Sequence, residues 1–516
     1  MPQERNRINP LQFPHAVRAL VRSLPWIAGL TCFSFSSTCL GLTPWMTEPD
    51  YQLHAVPVSD TPADPVIAGA LSQVSDARIR QTIEKLVGFH TRATLSSMET
   101  DLSPGTGVTA AADWIFSQFE EISKECGGCL EVKRDTFTNP AAERIPKPTT
   151  ITNVYAILRG SGAAGSPDAA AQSGHAYGRM YLVTGHYDSR NTDILDDHGE
   201  APGANDDASG VAVSLECARV LSAASKGQHW PASLVFVAVA GEEQGLNGSS
   251  HLAKLARDEG WQLEGVLNND IVGGNTTPGD ALQRKDVVRV FSEGMPASAT
   301  PEQLRRIRAL GAADDAPSRQ LARAMTDAAR TYLAGKNKAG GFAPFLVSRP
   351  DRYLRGGDHS SFNREGFAAV RITEWREDFN HQHQNVRVEN GVQYGDLLQF
   401  VDFGYVANVA RLNAATLATL AASPGIPTEF KVVTTKLENG TTLTWKAPEG
   451  TGTAAGLHYE LLWRETTASD WQYMQAVPAA PGDGVVTLTV PVSKDNVFFG
   501  VRAVDAAGHR GLVVTP

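Results

Sequence analysis

Beyond its first 42 residues this chain has no apolar run long enough to span a bilayer, and as a whole it carries no excess of basic charge. Its 46 Lys and Arg stand against 56 Asp and Glu, a formal net charge of -10. That balance argues against a nucleic-acid partner and against an anionic membrane surface. Cysteine is scarce, with five in 516 residues. Cys32 and Cys39 fall in the first 42, Cys126 and Cys129 form a Cys-Gly-Gly-Cys, and Cys217 lies on an apolar helical face. The Cys-x-x-Cys has no thioredoxin-like strand–helix–strand context, which leaves either a redox pair or, in an oxidising compartment, a small-loop disulfide. Cys217 reads as a small buried hydrophobe. Hydrophobic residues at 42% and charged residues at 20% exclude a disordered chain and supply ample material for cores. A length of 516 residues implies two or three units.

Residues 1–42 differ from everything after them. Arg5, Arg7, Arg18 and Arg22 face a single acid, Glu4, and precede an apolar and small-residue run from Leu24 to Leu42. This order is that of a secretory signal peptide. A transmembrane anchor is the alternative, since a span requires about 20 residues, but Thr31, Ser34, Ser36, Ser37 and Thr38 interrupt the run. The expectation is a secreted or periplasmic protein with no stable membrane association after cleavage.

Residues 63–125 read mainly as helix, with helical spacing of apolar positions in 79–86 and 111–119. From 151 short apolar runs alternate with helical stretches. Met180–Val183, Leu234–Val239, Leu263–Ile271 and Ala368–Ile372 read as buried strands, with helices over 210–224 and 248–257. That alternation predicts an α/β class: a mixed, mostly parallel sheet sandwiched by helices. The polar stretch 281–355 reads as an insertion or lid, and a long helix over 395–422 closes a domain spanning 43–422. After Ser423-Pro-Gly-Ile-Pro427 the texture changes to short alternating runs separated by turns, which predicts a small all-β sandwich over 427–516. Its Trp445 strand followed by Tyr459-Glu-Leu-Leu-Trp463 resembles a fibronectin type III module, with binding of another protein or a surface, spacing or stabilisation as its role.

Five clusters carry chemistry. His186 directly follows a strand and has Asp188 two residues on, which places an imidazole at the crevice of an α/β sheet with a carboxylate able to orient it. Pro202-Gly-Ala-Asn-Asp-Asp-Ala-Ser-Gly210 puts Asp206 and Asp207 before an apolar helix; one carboxylate suffices for a cap, and two suggest a cation as well. Glu242 and Glu243 follow the next strand, where one can bind metal while its neighbour handles a proton. Asp270 ends a buried strand, a position costly to desolvate without a partner or a metal. Asn380-His-Gln-His383 follows the last strand. Two imidazoles and three carboxylates, with no thiolate, suit two zinc ions better than calcium or magnesium.

The order His-Tyr-Asp-Ser, Pro-Gly-Ala-Asn-Asp-Asp-Ala-Ser-Gly, Gly-Glu-Glu-Gln-Gly-Leu-x-Gly-Ser, Asn-Asp and a late His resembles the co-catalytic di-zinc aminopeptidases of bacteria, over roughly 63–422. Their superfamily also holds glutamate carboxypeptidases, glutaminyl cyclases and the transferrin receptor. The resemblance implies a zinc exopeptidase fold and two zinc ions. It implies that Asp206 bridges them, with His186 and Asp270 completing one site and Glu243 and His383 the other. It further implies that Glu242 is the general base acting on a metal-bridging water, that Asp188 orients His186, and that Asp207 is a structural neighbour. Asp358 and His359, in Gly356-Gly-Asp-His-Ser-Ser-Phe362, match a loop beside the family's substrate cleft, where His359 would meet the tetrahedral intermediate. The chain departs from the family's His-x-x-x-Asp at its last ligand, and His381 competes with His383 there. The expected activity is release of N-terminal residues from peptides. The rivals are a carboxypeptidase, for which Arg190, Arg352 and Arg355 could receive a carboxylate, a glutaminyl cyclase, and an inactive binding protein.

Overall fold

A short strand, β1 (Val56–Pro57), precedes three helices: α1 (Pro65–Ser72), α2 (Asp76–Val87) and α3 (Gly107–Glu125). Asp64 caps α1 by accepting from the N–H groups of Val66 and Ile67, and Ser75 caps α2 through Arg78 N–H. Helical spacing on α2 buries Ile79, Ile83 and Leu86. Cys126 ends α3 and is disulfide-bonded to Cys129. Between them Gly127 and Gly128 both take positive φ, which reverses the chain at no side-chain cost. The computed structural model describes residues 55–162, 177–226, 230–335, 341–435, 437–449, 456–480 and 484–516. The leader expected over 1–42, with Cys32 and Cys39, lies outside the described residues. Among the described residues no helix is long and apolar enough to cross a membrane.

The chain then alternates β2 (Leu130–Asn139), β3 (Thr149–Leu158), β4 (Arg179–His186), α4 (Ala208–Ala224), β5 (Ser233–Val239), α5 (Asn247–Asp258) and β6 (Gln262–Asn269). It continues through β7 (Val287–Ser292), α6 (Pro301–Leu310), α7 (Pro317–Tyr332), β8 (Ala343–Val347), α8 (His359–Arg364) and β9 (Ala369–Thr373). A hairpin of β10 (Arg387–Glu389) and β11 (Val392–Tyr394) leads to α9 (Phe403–Ala422).

Eight of these strands form one sheet in the order β2-β3-β5-β4-β6-β9-β7-β8. The central four, β5, β4, β6 and β9, run parallel. Antiparallel pairs, β2 with β3, β3 with β5 and β9 with β7, extend the sheet on both sides. Every residue of β5 and β9 is buried, as strands covered on both faces require. One face packs on apolar side chains of α1–α4, α7 and α9, and the other on Leu252, Ala253 and Ala256 of α5 and Phe362 of α8. The carboxyl ends of the four parallel strands therefore open at one edge, where a ligand crevice belongs.

Three sequence expectations change. The stretch 281–355 is not a lid as a whole: β7 and β8 continue the main sheet and α7 packs on it. Its charges lie on strands at the sheet's margin and on helix faces, and so look like loop in the sequence. The last helix starts at Phe403 instead of 395, because Asp402 caps it through Tyr405 N–H and residues 398–400 form a 3₁₀ turn. β2 and β3, unassigned in the sequence, form the opposite margin of the sheet.

The last segment comprises β12 (Thr428–Val433), β13 (Thr441–Lys446), β14 (His458–Glu465), β15 (Tyr473–Pro478), β16 (Val486–Val490) and β17 (Val497–Val504). They form two sheets, β12-β13-β16 and β1-β15-β14-β17, around one core that includes Trp445, Tyr459, Trp463 and Phe499. The second sheet thus recruits a strand from before the α/β body. The fixings to that body are polar and buried: Arg464 lies 2.8 Å from Asp315, and Trp471 Nε1 donates to Gln320 Oε1.

Candidate metal centre

Each central parallel strand delivers one group to the crevice. His186 is the last residue of β4, Glu243 stands in the turn after β5, Asp270 follows β6 directly, and His383 lies on the loop after β9. Asp206 comes from the loop that enters α4. His186 Nε2 lies 3.1 Å from Asp206 Oδ1 and 3.9 Å from Asp270 Oδ1. His383 Nε2 lies 2.9 Å from Asp206 Oδ2 and 3.0 Å from Glu243 Oε1. The five side chains thus fall into two groups that share Asp206, one oxygen to each group. All but His383 are almost wholly buried, and His383 opens to solvent at 26%.

Asp207 builds the floor. Its carboxylate caps α4 through Gly210 N–H at 3.0 Å and accepts from His186 N–H at 3.0 Å and Ile271 N–H at 3.2 Å. It thereby joins the backbones that carry three ligands. Gly185 and Gly210 allow it, since a Cβ on either would strike Asp207. Asp396 accepts from the N–H groups of Asn205 and Asp206 at 2.8 and 2.7 Å. Arg92, fully buried, donates to the carbonyls of Tyr187, Pro202 and Gly203. Gln382 Nε2 donates to Asp206 Oδ2 at 2.9 Å. None of these last three was singled out in the sequence.

Asp188 works differently from the expectation. His186 Nδ1 meets the backbone carbonyl of Asp188 at 3.1 Å, with the carboxylate farther off at 3.5 Å. The carboxylate accepts instead from Thr94 Oγ1 at 2.9 Å and from the N–H groups of Glu242 and Glu243 at 3.3 and 3.2 Å. One residue therefore orients an imidazole and fixes the Glu-Glu turn. His381 stays out of both groups: its ring stacks on Phe400 at 3.6 Å. His359 also departs from its expected role. Its Nε2 is 2.8 Å from Pro350 O, its ring is buried, and burial depresses its pKa. The N–H of that neutral ring is engaged with Pro350, so none remains to meet a substrate oxyanion. Asp358 is fully buried beside it, and desolvation pushes its pKa up to about 7 against the pull of His186.

The electrostatics call for cations. Burial alone would depress the imidazole of His186, yet Asp188 and Asp206 outweigh it and push its pKa well up. His383 is pushed up to about 10: burial opposes, and Glu243 and Asp206 prevail. Positive charge is thus stabilised at two points, one in each group. Desolvation raises the carboxyl of Glu242, His186 counteracts, and Asp270, Glu243 and Asp358 add to the rise. His186 Nε2 and Glu243 Oε1 are buried with no well-formed hydrogen bond outside the cluster. Nitrogen and carboxylate donors in threes, without thiolate, fit zinc.

The model of peptidase family M28 matches residues 169–390, a span that holds all five of these residues. A probable zinc metalloprotease of Pyrenophora teres f. teres is 41% identical over 88% of this chain and 87% of its own length. Another, from Pyricularia oryzae, is 42% identical over 88% and 84%. The chain belongs to peptidase family M28. Among solved structures this M28 chain is similar to the LapA aminopeptidase of Legionella pneumophila, at 18% identity over 70% of this chain and 76% of that one, with a TM-score of 0.45. It is also similar to the Porphyromonas gingivalis glutaminyl cyclase, at 17% identity over 66% and 97%, with a TM-score of 0.43. The M28 chain is a zinc metallopeptidase, with a mixed α/β body and a β-sheet C-terminal region.

Proposed function

We propose that this metallopeptidase is a secreted aminopeptidase that holds two zinc ions, one with His186, Asp206 and Asp270 and one with Asp206, Glu243 and His383. The observation that carries this reading is Asp206, whose two oxygens face two separate ligand groups. Zinc bound there supplies a Lewis acid for the scissile carbonyl and a nucleophile available at neutral pH.

Glu242 is the general base. Its backbone is fixed by Asp188, its side chain is outside both ligand groups, and burial pushes its carboxyl well up from the usual glutamate range. It takes the proton of the attacking water and delivers it to the departing amine. Asp206, Glu243, Asp270 and Glu242 gather four carboxylates at the crevice, and a substrate bearing a free amino group suits so acidic a site. Arg352 and Arg355, two of the three arginines available to a carboxypeptidase, each spend their guanidinium on Glu377 at 2.9 Å. The apolar leader over 1–42 supports export, and the strand pattern of the C-terminal sheets supports a fibronectin type III-like module.

Hydrolysis of aminoacyl-p-nitroanilides, with and without chelator, tests the activity. Turnover that chelator abolishes and zinc restores is expected; zinc-loaded protein inert toward every such substrate would refute the aminopeptidase reading. Glu242→Gln should lower kcat by about 10²–10⁴-fold, the usual share of a positioned base. Its zinc content should stay at two per chain.

A further inference from the structure

The strand β9 carries an arginine where none is expected: Arg371 stands in a five-residue strand buried throughout, and its own side chain is fully buried. A guanidinium is almost never placed so without a partner. The partner is the proposed zinc ligand on the neighbouring parallel strand. Arg371 Nη1 lies 2.5 Å from Asp270 Oδ2, while Asp270 Oδ1 faces His186. The register sets this up, since Asp270 N–H donates to Ile372 O at 3.0 Å, one residue along from the arginine. Nη1 also donates to Gly356 O at 3.2 Å and has Asp351 Oδ2 at 3.7 Å. Gly357 leaves the room, for a Cβ there would collide with Nη1. Among the described residues the other group has no arginine ion-paired to Glu243 or His383, which pair only within that group.

We propose that Arg371 is a positioning residue of the metal centre that restricts Asp270 to a single ligand oxygen and makes the His186–Asp206–Asp270 site the weaker of the two zinc sites. The proposal rests on the two-ion reading above. Two effects compete when such an arginine is removed. Loss of an orienting partner typically weakens metal binding by about 10–100-fold. Removal of a full positive charge one carboxylate away from a divalent ion tightens it, and at an effective dielectric of about 20 that repulsion exceeds about a hundredfold. The second effect wins, and Asp270 is then free to offer both oxygens. The asymmetry has a use: an ion held less tightly keeps more of its charge for a substrate oxygen.

The test is zinc uptake by the chelator-stripped, full-length protein, followed by calorimetry against buffered zinc. Wild type should take up two ions in two resolved steps. Arg371→Met should tighten the weaker step by at least about tenfold, by the charge argument above, and leave the stronger step unchanged. Arg371→Gln, which also removes the charge but keeps an amide able to donate to Gly356 O, should move the same step in the same direction and covers a failure of Arg371→Met to fold. Arg371→Lys, which retains the charge, should stay near wild type. An unchanged or weaker low-affinity step in the charge-removing variants, or an equal change in both steps, would overturn the proposal. A wild type that saturates at one ion would instead refute the two-ion reading, before any variant is compared.

Discussion

Replacing Asp315 by Asn measures what fastens the C-terminal sheets to the catalytic body. Asp315 is buried in the 3₁₀ turn before α7, and its Oδ1 meets Arg464 of β14 at 2.8 Å and Arg323 of α7 at 3.4 Å. Arg464 is fully buried. Deleting one charge of such a cluster strands the others, which costs about 3–5 kcal/mol. Asp314, more exposed at 38%, reaches Arg464 at 3.3 Å and Arg323 at 2.7 Å, and it offsets part of that loss. The expected cost is therefore at the lower end, about 3 kcal/mol. At about 2–4 °C per kcal/mol for a large domain, Tm should fall by about 6–12 °C. Differential scanning calorimetry of Asp315→Asn beside Asp314→Asn gives the comparison. The Asp314 variant loses screened, half-exposed pairs and should cost no more than about 1 kcal/mol. Both should keep two zinc ions and normal kcat below the transition, since neither aspartate touches the metal-facing residues. Equal shifts in the two variants, or a Tm for Asp315→Asn within a degree of wild type, would refute the view that a buried charge cluster makes the module part of the body.

Three more outcomes follow from the site and the module contact. Asp206→Ala should lose both zinc ions, because its two oxygens serve both groups, whereas His381→Ala should retain them; metal analysis after gel filtration separates the two. Asp188→Asn keeps its backbone carbonyl for His186 but weakens acceptance from Glu242 and Glu243 N–H, so kcat should drop by about 10-fold or more as the base loses its position, with zinc content maintained. His509 is held between Asp505 at 2.8 Å and Asp64 at 2.9 Å, and these carboxylates raise its pKa above 6.5 despite burial. A raised folded pKa means its stabilisation is complete below about pH 6.5 and is lost as pH rises through the folded value. Thermal scans of wild type and His509→Gln should therefore differ most at pH 6 and converge in alkali; a gap independent of pH would count against the protonated clamp.

How far the fold could be read depended on where each strand sits in the sheet. β5 is covered on both faces, so Leu234–Val239 appears in sequence as an unbroken apolar run. β2 reads Leu-Glu-Val-Lys-Arg-Asp-Thr-Phe-Thr-Asn, with much of its length partly exposed at the sheet's edge, and it carries no such signature. β8 is in the same position on the other edge, which is why 281–355 resembled a lid. Edge strands are defined by the neighbour they have and the neighbour they lack, and neither is local information.

The same division runs through the site. His186, Glu243 and Asp270 were legible because a polar group directly after a buried strand is conspicuous, and Asp206 because two acids before one helix exceed what a cap needs. His383 could not be separated from His381 by pattern; only the loop's path, with His383 at a φ of 55° and His381 stacked on Phe400, divides them. Arg92, Asp396 and Gln382 act on backbones and side chains remote in sequence, so nothing near them announces a role. Arg371 is the informative omission. Asp270 pointed to a metal because a carboxylate ending a buried strand requires a positive partner. Desolvation alone does not fix how many such partners there are. An arginine inside Ala369-Val-Arg-Ile-Thr373 raises the same question with the opposite sign, and two buried strands that each end or carry an unexplained charge are candidates to be neighbours. Asp270 Oδ2 lies against the Arg371 guanidinium while Oδ1 faces His186, so the cost of burying this carboxylate is met by two cations together, the arginine and the proposed zinc.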